Sequence, residues 1–178
     1  MVSEMVTASG ASRIMSDPVT KRCFPPVVDP DVHVLVLGSL PGEESLARSQ
    51  YYANPRNQFW RLIGEVVERD LQSLPYEARL ETLLSCRIGL WDVVQSASRI
   101  GSLDAAIRGH RTNDLATLVQ SLPNLRAVAF NGGTSARIGN KQLSAEATAR
   151  LALPSSSPAY TLPFDRKRAA WLAIRGYF

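Results

Sequence analysis

The sequence predicts an α/β protein: a three-layer α/β/α sandwich around a four-stranded parallel sheet. Three observations predict it. Short, almost uninterrupted apolar runs recur along the chain, as expected of strands buried on both faces. Segments with apolar residues at helical spacing lie between them, so strands and helices alternate, which implies parallel pairing through right-handed crossovers. Each run also ends in an unusual loop rich in Gly, Pro, Asn or Ser.

The elements follow in order. Residues 1–30 are rich in Ser, Thr and Pro and lack periodicity; they read as a poorly ordered tail that enters the domain at Pro25-Pro26, leaving 31–178 as a single domain. Val32 to Leu37 is a nearly continuous apolar run closed by Gly38, which suits a buried strand. Phe59, Leu62, Ile63, Val66 and Val67 form an i, i+3, i+4, i+7, i+8 series, the clearest helix in the chain, with Asn57 in N-cap position. Pro75 opens a second helix carrying Leu80, Leu83 and Leu84. Ile88 to Val94 reads as another strand. Thr112 or Asn113 caps a helix with Leu115, Leu118, Val119 and Leu122. Leu125 to Phe130 is a third strand, ended by Asn131-Gly132-Gly133, and a short helix follows from about Thr134. Arg150 to Leu153 is the fourth strand, broken by Pro154. Asp165 caps the last helix, which carries Trp171 and Ile174 and stops at Gly176.

Composition removes several functions. At 178 residues the chain can bury a core without disulfides or metals. No stretch approaches the roughly 18–20 consecutive apolar residues of a membrane span, and no charged segment precedes an apolar one at the start, so a cytoplasmic protein with no membrane partner is expected. Cys23 and Cys86 are far apart and have no CxxC partner, which excludes a four-cysteine metal site. His33 falls inside an apolar alternation and His110 in a polar loop, and no GxSxG elbow offers a nucleophile, so neither metals nor a hydrolytic triad are expected. No GxxxxGK[ST] loop is present to bind a nucleoside triphosphate. The net charge of +4 permits a polyanionic partner.

The strand-end loops carry more information: Gly38-Ser39-Leu40-Pro41-Gly42, Trp91-Asp92, Asn131-Gly132-Gly133 and Pro154-Ser155-Ser156-Ser157-Pro158. In open α/β sheets ligands bind outside the carboxyl ends of the strands, so parallel strands would bring these four loops to one rim. The first loop continues through Ser45-Leu46 into Gln50-Tyr51-Tyr52-Ala53-Asn54-Pro55-Arg56-Asn57-Gln58-Phe59-Trp60. This combination resembles the opening motif of the uracil-DNA glycosylase superfamily, and most nearly its hypoxanthine-DNA glycosylase branch. Ile88 to Val93, Gly101-Ser102-Leu103-Asp104, Phe130-Asn131-Gly132 and Leu153 to Ala159 are similar to further motifs of that branch, in order, over roughly Val34 to Trp171.

The resemblance implies a monofunctional DNA glycosylase of base-excision repair, acting as a monomer on DNA containing deaminated bases, hypoxanthine preferred, with no cofactor. A uracil- or mismatch-specific enzyme of the same superfamily is the alternative within the class; a non-catalytic nucleic-acid-binding α/β module is the alternative outside it. Glycosidic cleavage passes through an oxocarbenium-like sugar while the base departs as an anion. It therefore needs donors aimed at the base, a held water and a pocket for an extruded nucleotide. An asparagine offers an acceptor for the water and a donor for a base oxygen.

Many superfamily members place Asn or Asp within the first glycine–proline motif; here that slot holds Leu40, and the resemblance moves the catalytic role to Asn57. A helix cap is compatible with that role, because capping uses the side-chain oxygen and leaves the amide free. Tyr52 matches the position that stacks on the flipped base. Gly38 and Gly42, with Pro41 between the loop's polar groups, allow close backbone approach, and Ser39 can donate to the base or a phosphate. Asp92 matches the region that reads the base edge, and Asn131 is a pocket or turn residue. Ser155, Ser156 and Ser157 supply hydroxyls and N–H groups for phosphates, and Tyr160 or Leu162 could wedge into the vacated stack. Arg166, Lys167 and Arg168 open the last helix, an unfavourable place for cations unless an anion lies near. Asn54 stands where the family commonly shows histidine.

Overall fold

In the computed structural model, which describes residues 20–144 and 148–178, the apolar runs form one parallel sheet. Chain order gives β1 (Thr20–Arg22), β2 (Val34–Gly38), α1 (Glu43–Arg48), α2 (Phe59–Val67), α3 (Tyr76–Ser85), β3 (Ile88–Asp92) and β4 (Val94–Ser98). It continues with β5 (Arg108–Thr112), α4 (Leu115–Ser121), β6 (Ala127–Asn131), α5 (Gly133–Gly139), β7 (Ala149–Leu153) and α6 (Phe164–Trp171), which tightens into a 3-10 turn over Leu172–Tyr177. The main sheet runs β3-β2-β6-β7, every pair parallel, as the alternation of elements predicts.

The uninterrupted apolar character of β2 has a direct cause. Val34 and Val36 face a core shared with Phe59, Leu62 and Ile63 of α2, Leu83 of α3 and Trp171 of α6. Leu35 and Leu37, one step out of phase, face a second core with Leu115 of α4 and Ile138 of α5. Both sides of the strand are covered, so neither phase tolerates a polar residue. The helices thus form two outer layers over one sheet.

Several elements differ from the sequence reading. Ile88 to Val94 is not one strand: β3 ends at Asp92, and the chain turns through Val93 into β4, which leaves the main sheet. There β4 joins a small antiparallel sheet of order β1-β4-β5. Strand β5 reads Arg-Gly-His-Arg-Thr and is exposed throughout, so it carries no hydrophobic periodicity; His110 lies in it rather than in a loop. The expected tail is partly structured: Thr20–Arg22 pair with Ser96–Ser98, and Val27 bridges to Leu90, whereas residues 1–19 lie outside the described residues. Helix α4 is capped by Asp114, whose carboxylate accepts from Thr117 N at 3.0 Å, and not by Thr112 or Asn113. Asn113 instead donates to the Asp92 carbonyl at 2.7 Å. The N-cap of α6 is Pro163, with Asp165 in the first turn, where its charge favours the helix dipole.

Candidate active site

The carboxyl ends of all four parallel strands open into one cavity of about 610 Å³, within the range of small-ligand sites. The loop after β2 supplies Gly38, Ser39, Leu40, Pro41 and Gly42 to its wall, β3 supplies Asp92 and β6 supplies Asn131. The loop after β7 adds Ser155, Ser156, Ser157 and Tyr160, and the segment before α2 adds Tyr52 and Asn57. The convergence expected of the four loops is therefore met.

The 38–42 loop is a row of donors. Its carbonyls are held from behind: Val93 N donates to Gly38 O at 2.9 Å and Val94 N to Ser39 O at 3.0 Å. Arg99 donates to Leu40 O at 3.3 Å and to Pro41 O. The N–H groups of Ser39, Leu40 and Gly42 meet no acceptor among the described residues. In a trans peptide the N–H points opposite its carbonyl, so pinning the carbonyls turns these donors the other way.

Asp92 forms the floor. It is 3% exposed, and its Oδ2 has no hydrogen-bond partner among the described residues. Burial, with the Asp104 carboxylate adding to it and Arg99 opposing, pushes the carboxyl up to about 7. Gly38 is what allows it to sit there: a Cβ at that position would lie 2.4 Å from Asp92 Oδ1 and 2.9 Å from the Tyr52 hydroxyl.

Tyr52 has φ 54°, in the left-handed region that bulky residues rarely occupy. The strain is held by two contacts. Its ring stacks on Phe59 with centroids 3.7 Å apart and planes at 11°, and its hydroxyl accepts from Asn131 Nδ2 at 3.2 Å. One ring face is thereby used, and the other is what Tyr52 can offer the cavity. Burial raises its phenol above the ordinary range, so it stays neutral. Its neighbour Tyr51 is a core residue, 4% exposed, donating to the Pro25 carbonyl at 3.0 Å.

Asn57 Oδ1 accepts from Phe59 N at 2.9 Å, at the start of α2. Asn57 is not the N-cap that the sequence suggests, since Gln58 holds that position; from one residue earlier its oxygen still anchors the first turn, and its Nδ2 makes no hydrogen bond among the described residues. Asn131 is more fully engaged. Its Nδ2 donates to Ser156 Oγ at 2.9 Å as well as to Tyr52, and its Oδ1 accepts from Ser156 N at 2.8 Å. It ties the β7 loop to the Tyr52 ring rather than offering a free group. Gly132, with φ 100°, lets that loop close in; a Cβ there would meet Ser155 Cβ at 3.1 Å.

The residues expected to grip DNA separate. Ser155, Ser156 and Ser157 all line the cavity, but the Ser156 hydroxyl, in a residue 1% exposed, is engaged by Asn131. Tyr160 is 48% and Leu162 36% exposed. Arg166 is exposed, whereas Lys167 is 1% exposed, with Nζ 3.4 Å from the Ser157 carbonyl and 5.5 Å from the Tyr160 ring centroid. Lys167 therefore supports the loop from beneath. Arg168 pairs with Glu65 at 2.7 Å and belongs to the α2–α6 contact. Residues 99–104 were the part of the site with no chemistry assigned from sequence. Ser102, Leu103 and Asp104 line the cavity, and Ser39 Oγ donates to Asp104 Oδ1 at 2.6 Å. The Gly101–Asp104 motif marked the place, but a buried arginine preceding it gave no periodic signal.

No group of three His, Cys, Asp or Glu side chains among the described residues could hold a metal ion. His33 lies just before β2, at the end of the strand remote from the cavity.

The sequence pattern of the uracil DNA glycosylase superfamily matches residues 25–175. The chain belongs to that superfamily. The resemblance drawn from motifs in register is thereby borne out, as is the α/β fold. Within the superfamily the chain is 41% identical over 154 residues to the hypoxanthine DNA glycosylase of Methanosarcina acetivorans, covering 86% of this chain and 97% of that one. It is 46% identical over 115 residues to the hypoxanthine DNA glycosylase of Methanosarcina barkeri, covering 65% and 73% respectively. The solution NMR structure of a Methanosarcina acetivorans protein, described as a candidate uracil DNA glycosylase, superposes with TM-score 0.77 at 39% identity, covering 89% and 98%. No helix among the described residues of this superfamily member is long and apolar enough to cross a membrane.

Proposed function

We propose that this chain is a monofunctional DNA glycosylase that removes hypoxanthine from DNA. The observation that carries the proposal is the cavity itself: a row of unpaired backbone donors, an unpartnered buried carboxyl and a half-free carboxamide, gathered from distant parts of the chain. The two relatives named for hypoxanthine excision support the choice of base.

In the proposed reaction the target nucleotide is extruded into the cavity and its base lies on the free face of Tyr52. The N9–C1′ bond breaks with both electrons leaving on the base, and the loop donors of Ser39, Leu40 and Gly42 stabilise that charge. Water held by Asn57 adds its oxygen to C1′, and its proton goes ultimately to the departing purine. The second lone pair of Asn57 Oδ1 and the free Nδ2 are the groups available to hold it. Asp92, when ionised, accepts the N1–H of hypoxanthine. Adenine presents a lone pair at N1 and would leave two acceptors facing each other.

Ser155, Ser157 and Arg166 contact phosphates flanking the site in this reading, and Tyr160 enters the gap in the stack. The protein acts as a monomer and without a cofactor.

The test is base release from duplexes carrying inosine, uracil or xanthine, with Asn57→Ala alongside. Wild-type excision of inosine is expected, and Asn57→Ala is expected to lose about 10²–10⁴-fold in rate while keeping its affinity for the duplex. Near-wild-type excision by the variant would remove the role of Asn57; an intact inosine duplex with wild-type protein would remove the glycosylase reading. Preferential release of uracil would instead favour the alternative base, which presents the same N–H and carbonyl pair. Borohydride should trap no protein–DNA adduct, since no lysine lies in the strand-end loops.

A further inference from the structure

We propose that Arg99 and Asp104 are positioning residues for this chemistry, holding the 38–42 loop so that its donors face the base. The inference rests on the glycosylase reading above. Arg99 immediately follows β4, with its side chain fully shielded from solvent. Its guanidinium fork spans two successive carbonyls, Leu40 O at 3.3 Å and Pro41 O. A planar fork of this kind fixes direction as well as distance, which a lysine cannot do.

The consequence is specific to one donor. The Pro41 carbonyl and the Gly42 N–H share a peptide plane, so the arginine that draws the carbonyl back turns the N–H forward. Pro41 itself has no N–H, and the carbonyls of Gly38 and Ser39 are already held by backbone N–H groups of Val93 and Val94. Among the described residues Arg99 is therefore the one side chain bonded to the Leu40 and Pro41 carbonyls.

Asp104 completes the arrangement. Its carboxylate accepts from Ser39 Oγ at 2.6 Å and lies 3.7 Å from Arg99 Nη1. The same segment holds the loop twice more: Ser102 Oγ accepts from Glu43 N at 2.9 Å, and Lys21 bridges Glu43 to the Gly101 carbonyl. A buried cation with both terminal nitrogens bonded to one loop of the cavity and its Nε unpartnered among the described residues, beside a carboxylate bonded to the same loop, is an expensive structure to maintain for packing alone. Aiming preorganised donors at a developing anion gives it a purpose.

The experiment measures single-turnover excision from an inosine duplex with enzyme in excess, affinity for a duplex carrying a non-cleavable inosine analogue, and thermal unfolding. Arg99→Met is expected to lower the chemical rate about 10²-fold with affinity changed less than threefold, and Arg99→Lys to recover less than a tenth of the loss. Asp104→Ala is expected to fall about tenfold, and Asp104→Asn, which keeps an acceptor for Ser39, to return within threefold of wild type.

Unaltered kinetics in Arg99→Met, or a rate loss matched by the same loss of folded protein, would overturn the positioning role. So would Asp104→Asn as slow as Asp104→Ala. Should Arg99→Met fail to fold, the Asp104 pair decides the matter, because that side chain is 37% exposed and its replacement leaves the core intact. Wild-type protein that leaves inosine untouched would refute the parent reading instead, so the two failures are separable.

Discussion

Replacing Asp92 by Asn should flatten the dependence of stability on pH. The carboxyl titrates near about 7 in the folded protein against an ordinary value of 3.8, chiefly because burial disfavours its charge. Below pH 4 both folded and unfolded chains carry the proton, and Asp92 costs nothing. Between about pH 4 and 7 the unfolded chain releases the proton while the folded one retains it, so wild-type stability falls as pH rises. Roughly three pH units at 1.36 kcal/mol each give about 4 kcal/mol as the upper limit, shared with the neighbouring Asp104. Asparagine has no proton to lose in this range, so the variant lacks that decline. Urea denaturation of both proteins from pH 4 to 8.5 measures the difference directly. The wild-type advantage should shrink by about 2–4 kcal/mol across the interval. A wild-type-to-variant difference that is constant with pH would show that the carboxyl is ionised throughout, and the account of the cavity floor would fail.

Two further outcomes are expected. Gly38→Ala places a methyl 2.4 Å from Asp92 Oδ1 and 2.9 Å from the Tyr52 hydroxyl; both must move, with a stability loss of about 1–3 kcal/mol and an excision rate about 10²-fold lower, read by denaturation and single-turnover assays. Arg166→Gln should reduce the slope of log affinity against log salt by about 1, whereas Lys167→Met should leave the slope unchanged because its ammonium is buried under the β7 loop. Equal slopes for both variants would contradict the division between them.

The sheet was legible because burial on both faces writes itself as unbroken apolar runs: Val32 to Leu37 and Leu125 to Phe130 contain most of β2 and β6, each shifted by one or two residues at its ends. Their parallel order then placed the polar loops, with Asp92 and Asn131 among them, on a shared rim, whereas Asn57 and Tyr52 entered the site only through the resemblance of their motif. Strand β5 was hidden because all of its residues are exposed and its pairing rests on backbone bonds alone. The β3–β4 break was hidden for a related reason, since Val93 and Val94 are both fully buried and continue the apolar run through the turn. The opposite fates of Ser156 and its neighbours, and of Lys167 and Arg166, depend on tertiary orientation, and adjacent residues of one chemical type carry no such information. Arg99 belongs to the same class: a cation in sequence is read as solvated until its acceptors are seen.

Lys21 stands in a three-residue strand at the chain's margin, yet it reaches Glu43 and the Gly101 carbonyl at once. That makes the first described strand a clasp between the start of α1 and the 99–104 segment, the two stretches that flank the 38–42 loop. A polypeptide trimmed to begin at residue 25 would keep every cavity-lining side chain and the whole parallel sheet, but it would leave the hairpin without its outer neighbour and the loop without its outermost tether. Sequence outside the cavity, and outside residues 25–175 that the superfamily pattern matches, thus bears on how firmly the cavity's wall is held.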